Sequence, residues 1–278
     1  MTKNTKRIHF AAPRTSNPGE ALCGENATGH DVLYQPLVDL ETGAVAGFSA
    51  QAACGRLRPA RPFHGGGLIG LPGRDTSCAQ FLCAINQVMD GMSEWMAEED
   101  GPGFILAELD PWGKDHCGEG PLERTPRLLA RYGSSASKLT ILFNVDSLME
   151  RPADAIDLGI GLKRLGVGVG VDNLEPGASP YNFLEMFPAD LLRVRFNEIA
   201  GFGGEKEIRD WLPELSAFAD NLLMEVAVEG VENARQYRLI KSAGCRYAQG
   251  GYFSRPLAME GAREYLRSAG ISPYLLGG

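Results

Sequence analysis

The chain has 278 residues and a formal net charge of −8, which argues against non-specific binding to nucleic acid or to an anionic membrane, because phosphate contacts need clustered lysine and arginine. Hydrophobic residues make up 44% of it, enough for one large α/β barrel or for two small domains. The apolar runs are too short to insert into a membrane, and residues 1–20 lack the apolar segment of a secretory signal.

Cysteine and histidine are scattered rather than paired. Six cysteines and four histidines include no C-x-x-C and no H-x-x-x-H spacing. A structural zinc site needs four convergent ligands at short paired spacings. We therefore expect no zinc, no cofactor, and reduced thiols in a cytoplasmic protein.

The amino-terminal part predicts a disordered lead-in followed by a hairpin. Residues 1–30 are rich in proline, serine, asparagine and threonine, as disordered segments are. Residues 31–39 and 44–52 are strand-like runs joined by Leu-Glu-Thr-Gly, which is typical of a β-hairpin. Residues 55–73, rich in glycine, proline and arginine, predict a loop.

From residue 75 onward, helical and strand patterns alternate. The predicted helices are residues 75–98, 121–132, 152–165, 178–187, 205–220, 232–243 and 259–268. The predicted strands are residues 104–109, 139–145, 167–171, 191–196, 222–228 and 247–250. Strands separated by helices are parallel. With the hairpin they number about eight, so residues 31–278 are expected to form a TIM-like (β/α)8 barrel that begins with a β-hairpin.

One predicted strand ends in an acid. Leu165-Gly-Val-Gly-Val-Gly-Val-Asp172 alternates glycine with valine, which is the period of a strand. An aspartate at the carboxyl end of a parallel barrel strand lies where β/α-barrel enzymes place their chemistry. The glycines lie inside the strand and not between strand and helix, so a dinucleotide-binding loop is disfavoured.

Five segments in order carry a family signature. They are residues 34–48, the strand that ends at Asp172, Phe187-Pro-Ala-Asp-Leu-Leu192, Val228-Glu-Gly-Val-Glu232 and residues 244–257. Together they resemble the bacterial EAL domain, the barrel that hydrolyses cyclic di-GMP, over about residues 32–257. The resemblance implies fold and ancestry, but activity depends on the residues of the site.

The resemblance also implies which positions would carry the chemistry. Two-metal hydrolysis of a phosphodiester needs several converging oxygen ligands and cationic help for the developing charge. This chain has Ser49 where the family has its signature glutamate, Glu108 in place of the third-strand asparagine and Leu142 in place of the fourth-strand glutamate. Asn173 replaces the second aspartate of the Asp pair. Arg193 replaces the catalytic lysine, and Arg195 replaces the aspartate two residues later.

The acids that remain are Glu108, Asp172 and Glu229, and they are the residual metal-ligand candidates. They are too few for two cations, and an inward Arg195 would repel a divalent ion. We therefore expect no catalytic residue and no bound metal. Asp172 is expected to pair with Arg193 or Arg195 from the adjacent strand.

Three functions follow as alternatives. The first is a degenerate, catalytically inactive EAL-like domain that regulates bacterial signalling by binding an unknown protein partner, with a homodimer as a further option. The second is a receptor that binds cyclic di-GMP without hydrolysis, because paired arginines suit a phosphate. Its ligand-binding candidates are Gln35, Asp172, Arg193, Arg195, Glu229 and Gln249. The third is a weak metal-dependent phosphodiesterase built on the three residual acids.

Apolar side chains at helical spacing have two interpretations. Phe183, Met186 and Phe187 follow the altered loop after Asp172, and Trp211, Leu215 and Phe218 recur along a later helix. Such spacing favours core packing. The alternative is a surface that contacts a partner.

Overall fold

The structure is a computed structural model, and it describes residues 32–52, 88–93, 95–96, 98, 101–109, 129–177 and 180–270. In this part of the chain eight strands close into a barrel in sequence order. They are β1 (Val32–Asp39), β2 (Val45–Ala52), β3 (Phe104–Glu108), β4 (Leu139–Asn144), β5 (Gly168–Asp172), β6 (Leu191–Arg195), β7 (Glu225–Glu229) and β8 (Tyr247–Ala248).

The first strand has a different direction from the rest. β1 pairs antiparallel with β2 on one side and with β8 on the other, whereas the successive pairs from β2 to β8 are parallel. The prediction of a TIM-like barrel that begins with a hairpin is therefore confirmed. Because β2 to β8 are parallel, their carboxyl ends meet at one end of the barrel, which we call the mouth.

The helices agree with the predicted alternation but differ in their bounds. They are Val145–Glu150, Pro152–Arg164, Tyr181–Leu184, Phe196–Asn221, Ala234–Ser242 and Met259–Ala269, with a 3₁₀ helix at Gly133–Lys138. The helix after β6 starts at Phe196, well before the predicted start at residue 205. It is two helical segments, because Gly203 and Gly204 have non-helical backbone angles. No helix among the described residues is long and apolar enough to cross a membrane.

Some predictions fall outside the described residues. These are the disordered lead-in at 1–30, the loop at 55–73 and most of the helices at 75–98 and 121–132. Residues 88–93 are helical, in agreement with the first of those helices.

The barrel interior changes from apolar to polar toward the mouth. Side chains on a strand alternate between the two faces, so every second residue points inward. The lower interior is an apolar cluster of Leu37, Ala46, Phe104, Leu106, Leu142, Leu191, Ala227 and Tyr247. Two residues nearer the mouth, the same strands place buried polar side chains, among them Glu229 on β7 and Arg193 on β6.

The glycines of β5 make room for the larger side chains of β4. A Cβ atom added to Gly170 would lie 2.4 Å from Cδ2 of Leu142, and one added to Gly168 would lie 2.4 Å from Oγ1 of Thr140. A side chain at either position would force the facing β4 side chain to move. Gly168 and Gly170 are therefore explained by interior packing, whereas Gly166 lies in the turn before β5 with φ 77°.

One turn at the opposite end of the barrel is strained. Leu223, between the long helix and β7, has φ 60° and a side chain that is 92% exposed. Gly166 and Gly244 occupy comparable helix-to-strand turns with φ of 77° and 83°. A leucine in this left-handed region costs free energy that glycine does not.

Replacing Leu223 with glycine should therefore stabilise the protein, by about 1 kcal/mol, measured by urea denaturation. The matched control is Leu222→Gly, because Leu222 has φ −106° and packs against the core, so that variant should be less stable. A loss of stability in Leu223→Gly would show that the exposed leucine makes a contribution that outweighs its strain.

Candidate functional site

Five charged side chains meet at the mouth, and we call them the arginine–carboxylate cluster. They are Glu108 at the end of β3, Asp172 at the end of β5, Arg193 and Arg195 on β6, and Glu229 at the end of β7. Each is an inward-facing position two or four residues beyond the apolar interior. The sequence placed all five at the site, and the structure brings them into contact.

Arg193 lies at the centre of the cluster and is fully buried. Its Nε and Nη2 atoms each donate to Asp172, at 2.8 Å to Oδ1 and 2.8 Å to Oδ2. Its Nη2 also forms an ion pair with Oε1 of Glu108, and Nε lies 3.7 Å from Oε2 of Glu229. The predicted pairing of Asp172 is confirmed, in the bidentate geometry that strengthens arginine–carboxylate contacts.

Arg195 joins the same carboxylates to the rim of the mouth. It donates to Asp172 Oδ2 at 3.0 Å and to Glu229 Oε2 at 3.4 Å. Its Nη1 donates to Asn173 Oδ1 at 2.8 Å and to Glu198 Oε1 at 3.4 Å. With 27% of its side chain exposed, Arg195 is the cluster residue that links the buried charges to the surface.

Glu198 was missed by the sequence analysis. It lies three residues after Arg195, in the first turn of the helix that starts at Phe196. The predicted helix began at residue 205, so the spacing that brings Glu198 back to Arg195 was not apparent. An acid in the first turn of a helix is also favoured by the helix dipole.

Burial and neighbouring charges shift the pKa values of the side chains in the arginine–carboxylate cluster. Burial raises the pKa of Asp172 above its usual range, while the charge on Arg195 lowers it. Burial lowers the pKa of Arg193 to about 10. Burial also lowers the pKa of Arg195, but the carboxylates of Asp172 and Glu229 raise it above its ordinary value. Both guanidinium groups are therefore charged at neutral pH.

Gln35 and Gln249 form a separate pair that joins the first and last strands. Gln249 Nε2 donates to Gln35 Oε1 at 3.1 Å, and Gln35 Nε2 donates to the carbonyl of Ser254 at 2.9 Å. Both side chains therefore help to close the barrel. At the mouth, the buried side-chain atoms without a hydrogen-bond partner are Oε1 of Gln249, Oε1 of Glu229, Oε2 of Glu198 and Nη1 of Arg193, and Oε1 of Glu108 has an ion pair with Arg193 instead.

Other mouth positions offer no carboxylate. Ser49 on β2 is buried opposite Gln35, and Leu142 on β4 belongs to the apolar interior. Asn144, at the end of β4, accepts a hydrogen bond from the amide of Asp146 at 2.8 Å and so caps the next helix. Ser49, Leu142 and Asn144 therefore supply no carboxylate to the site.

The residues present do not fit a metal ion. In the described part of the chain, no three histidine, cysteine, aspartate or glutamate side chains are arranged to hold one. The carboxylates at the mouth face guanidinium groups instead. The buried oxygens without a hydrogen-bond partner at the mouth are those of Glu108, Glu198, Glu229 and Gln249, one atom each, and a pair of divalent cations needs more oxygen ligands than that.

The apolar side chains considered as a partner surface are mostly core. Phe183 and Phe187 are buried and stack with ring centroids 5.2 Å apart, and Trp211 donates to the hydroxyl of Tyr181 at 3.2 Å. Leu215 is fully buried. Core packing is therefore confirmed for these four, whereas Met186 is 62% exposed.

Weakening the central ion pair should destabilise the fold. Asp172→Asn removes the charge that faces buried Arg193, and we expect a loss of about 3 kcal/mol in urea denaturation. The matched control is Asp210→Asn, since Asp210 pairs with Lys206 on the surface at 3.1 Å and its loss should cost less than about 1 kcal/mol. Equal effects of the two changes would contradict a central role for the cluster.

Comparison with known proteins identifies the family. The family model described as EAL domain matches residues 26–256. A cyclic di-GMP phosphodiesterase of Pseudomonas aeruginosa, PA2567, is 24% identical over 86% of this chain and 40% of its own length. The EAL domain of Mycobacterium smegmatis DcpA superposes with a TM-score of 0.68 at 19% identity, covering 88% of this chain and 100% of that one.

A third likeness is to PaMucR phosphodiesterase in a complex with c-di-GMP, with a TM-score of 0.64 at 21% identity over 83% of this chain and 93% of that one. The chain spans 18–40% of the length of the first three curated relatives that it matches. The family match over most of the sequence, together with the closed barrel and its single antiparallel strand, means that this chain belongs to the EAL domain family.

Proposed function

We propose that this chain is a catalytically inactive EAL domain that regulates signalling by binding another protein. The observation that carries the proposal is the position of Arg193, whose guanidinium group lies among Glu108, Asp172 and Glu229. The acids that remain at the site therefore pair with a fixed positive charge, which occupies the place between them.

Metal-dependent hydrolysis would require the contacts between Arg193 and the carboxylates to break. A divalent cation needs oxygen ligands at about 2.0–2.6 Å, so it would have to displace a fully buried arginine that makes a bidentate contact with Asp172. Arg195 would remain nearby, and its charge would repel the cation. Ser49 and Leu142 supply no replacement ligand at the neighbouring strands.

Purified protein incubated with cyclic di-GMP and Mg²⁺ or Mn²⁺ should therefore form no linear dinucleotide, as measured by chromatography. Ser49→Glu should not restore activity, because one carboxylate does not replace the several that are missing. Asp172→Asn serves as the control for a contaminating enzyme. Metal-dependent product formed by the wild type and lost in that control would favour a weak phosphodiesterase and contradict the proposal.

A receptor that binds cyclic di-GMP without hydrolysis is the second candidate. Arg195 is partly exposed at the mouth, and Arg193 has a buried Nη1 atom without a partner. Guanidinium groups bind phosphate oxygens well. A structurally similar protein, PaMucR phosphodiesterase, has been solved as a complex with c-di-GMP. The candidate ligand residues remain Gln35, Asp172, Arg193, Arg195, Glu229 and Gln249.

Calorimetric titration with cyclic di-GMP separates the two candidates. The protein-binding proposal expects no heat at high protein concentration, in EDTA or in Mg²⁺. Binding in the micromolar range without product would instead establish a receptor, and Arg195→Ala should then weaken it by at least about tenfold. Arg209→Ala is the matched control, because Arg209 lies on an exposed helix face.

Exposed apolar side chains are the candidates for contacting a protein partner. Met186, after β5, is 62% exposed, and Phe202, on the helix after β6, is 56% exposed. Large apolar side chains that remain in water are enriched at surfaces that bind other proteins. Both lie on segments that follow strands ending at the arginine–carboxylate cluster, so the cluster would hold those segments in place.

A further inference from the structure

We propose that the outer face of the helix Ala234–Ser242 binds an acidic segment of a partner protein. The three basic side chains of this helix, Arg235, Arg238 and Lys241, form what we call the basic face. The inference rests on the proposed function, because it assigns a place and a chemistry to the protein partner. Its residues, however, lie outside the arginine–carboxylate cluster.

The helix Ala234–Ser242 differs in charge from the other helices. It contains three basic residues and no acidic one. The long helix before it in the chain, Phe196–Asn221, contains six acidic and two basic residues. Of the six α-helices whose bounds are given above, only Ala234–Ser242 has a net positive charge. Its charge is therefore opposite in sign to the net charge of −8 of the whole chain.

The basic side chains leave the helix on the side that faces solvent. The buried residue of this helix is Ile240, which packs against the barrel. Arg238 and Lys241 are exposed, and the side chain of Arg235 is 74% exposed. Residues three apart on a helix are neighbours on its surface. At 1.5 Å of rise per residue, the basic face extends about 9 Å along the helix.

The charges of the basic face are only partly balanced within the protein. Nε of Arg235 pairs with Oε1 of Glu205, on the long helix, at 2.8 Å. Within the described ranges, neither Arg238 nor Lys241 forms an ion pair with a carboxylate, and Nζ of Lys241 lies 5.8 Å from the ring centre of Tyr237. Like charges three or four residues apart repel each other. A carboxylate placed over Arg238 and Lys241 would therefore remove an unfavourable interaction.

Helix stability alone does not explain these basic residues. The helix dipole favours a base in the last turn, which accounts for Lys241. The same dipole disfavours a base in the first turn, where Arg235 lies, and it contributes little to Arg238 in the middle. The start of the helix is held instead by Asn233, whose Oδ1 accepts from the amides of Arg235 and Gln236 at 3.0 Å each. The basic face is therefore formed before a partner binds, which lowers the entropic cost of association.

A short acidic segment of protein fits this face better than nucleic acid does. Nucleic acid carries closely spaced charges along its whole length, so it would extend beyond the basic face onto the long helix and meet its six acids. Those acids begin at the edge of the face, where Glu205 contacts Arg235. A partner helix with carboxylates three or four residues apart matches the spacing of the basic side chains. The partner is therefore an acidic segment of limited length.

The test is titration of the purified protein into a synthetic helical peptide that has glutamate at every third or fourth position and an uncharged dye, followed by fluorescence anisotropy. At low salt the wild type should bind with a Kd on the order of 10 μM. Arg238→Glu/Lys241→Glu should weaken binding at least about tenfold, because it places acids opposite acids. Raising the salt concentration to about 0.3 M should weaken wild-type binding, because these charges are exposed.

Lys206→Glu/Arg209→Glu is the matched control. These two bases also lie three residues apart on a helix, with side chains 86% and 64% exposed, and the double change alters the net charge of the protein by the same amount. It should weaken binding by less than about threefold, through net charge alone. Arg238→Gln/Lys241→Gln removes the charges without reversing them, and it replaces the glutamate variant in the titration if that variant does not fold.

Three results would overturn the proposal. The first is a folded wild-type protein that does not bind the peptide at a protein concentration of about 1 mM. The second is equal weakening by the two glutamate double variants, which would assign the effect to net charge. The third is tighter binding of a DNA duplex of the same charge, lost in Arg238→Glu/Lys241→Glu, which would assign the face to phosphate. These titrations contain no cyclic di-GMP, so their failure would leave the result of the hydrolysis assay unchanged. Product formation in that assay would contradict the proposed function without altering peptide binding.

Discussion

The interaction on which the site depends is the contact of one buried arginine with three carboxylates at the barrel mouth. Arg193 has no exposed surface, so its charge is acceptable only because Asp172, Glu108 and Glu229 surround it. Those acids are tolerated for the same reason. Arg195 shares two of these carboxylates and also contacts Glu198, on the helix after β6, and Asn173, in the turn after β5. These contacts fix the strand ends, the start of that helix and the turn.

The fold could be predicted from local patterns because each pattern has a direct structural cause. Two strand-like runs and a glycine turn predicted the hairpin, and alternating strand and helix patterns predicted parallel strands with crossover helices. The bounds were less accurate where glycine obscured the helical pattern. Gly201, Gly203 and Gly204 lie in the segment that starts at Phe196, so the first turn of that helix and the role of Glu198 were missed.

The site was predicted as a set of residues more completely than as a set of contacts. Pairing between Asp172 and the arginines followed from adjacent parallel strands. The contact between Glu108 and Arg193 spans strands that are not adjacent, and it depends on how the closed barrel is staggered. The pairing of Gln35 with Gln249 likewise requires the first and last strands to meet, which no local pattern encodes.

The contacts of Arg195 have a consequence for how the protein opens. This side chain ties β5, β6, β7 and the start of the long helix together, so a fluctuation that frees any one of these elements must break bonds to the others. Amide hydrogens in this sector should consequently exchange as one cooperative unit. The hairpin of β1 and β2 is held by β3 and β8 instead, so its amide hydrogens should exchange separately from that sector.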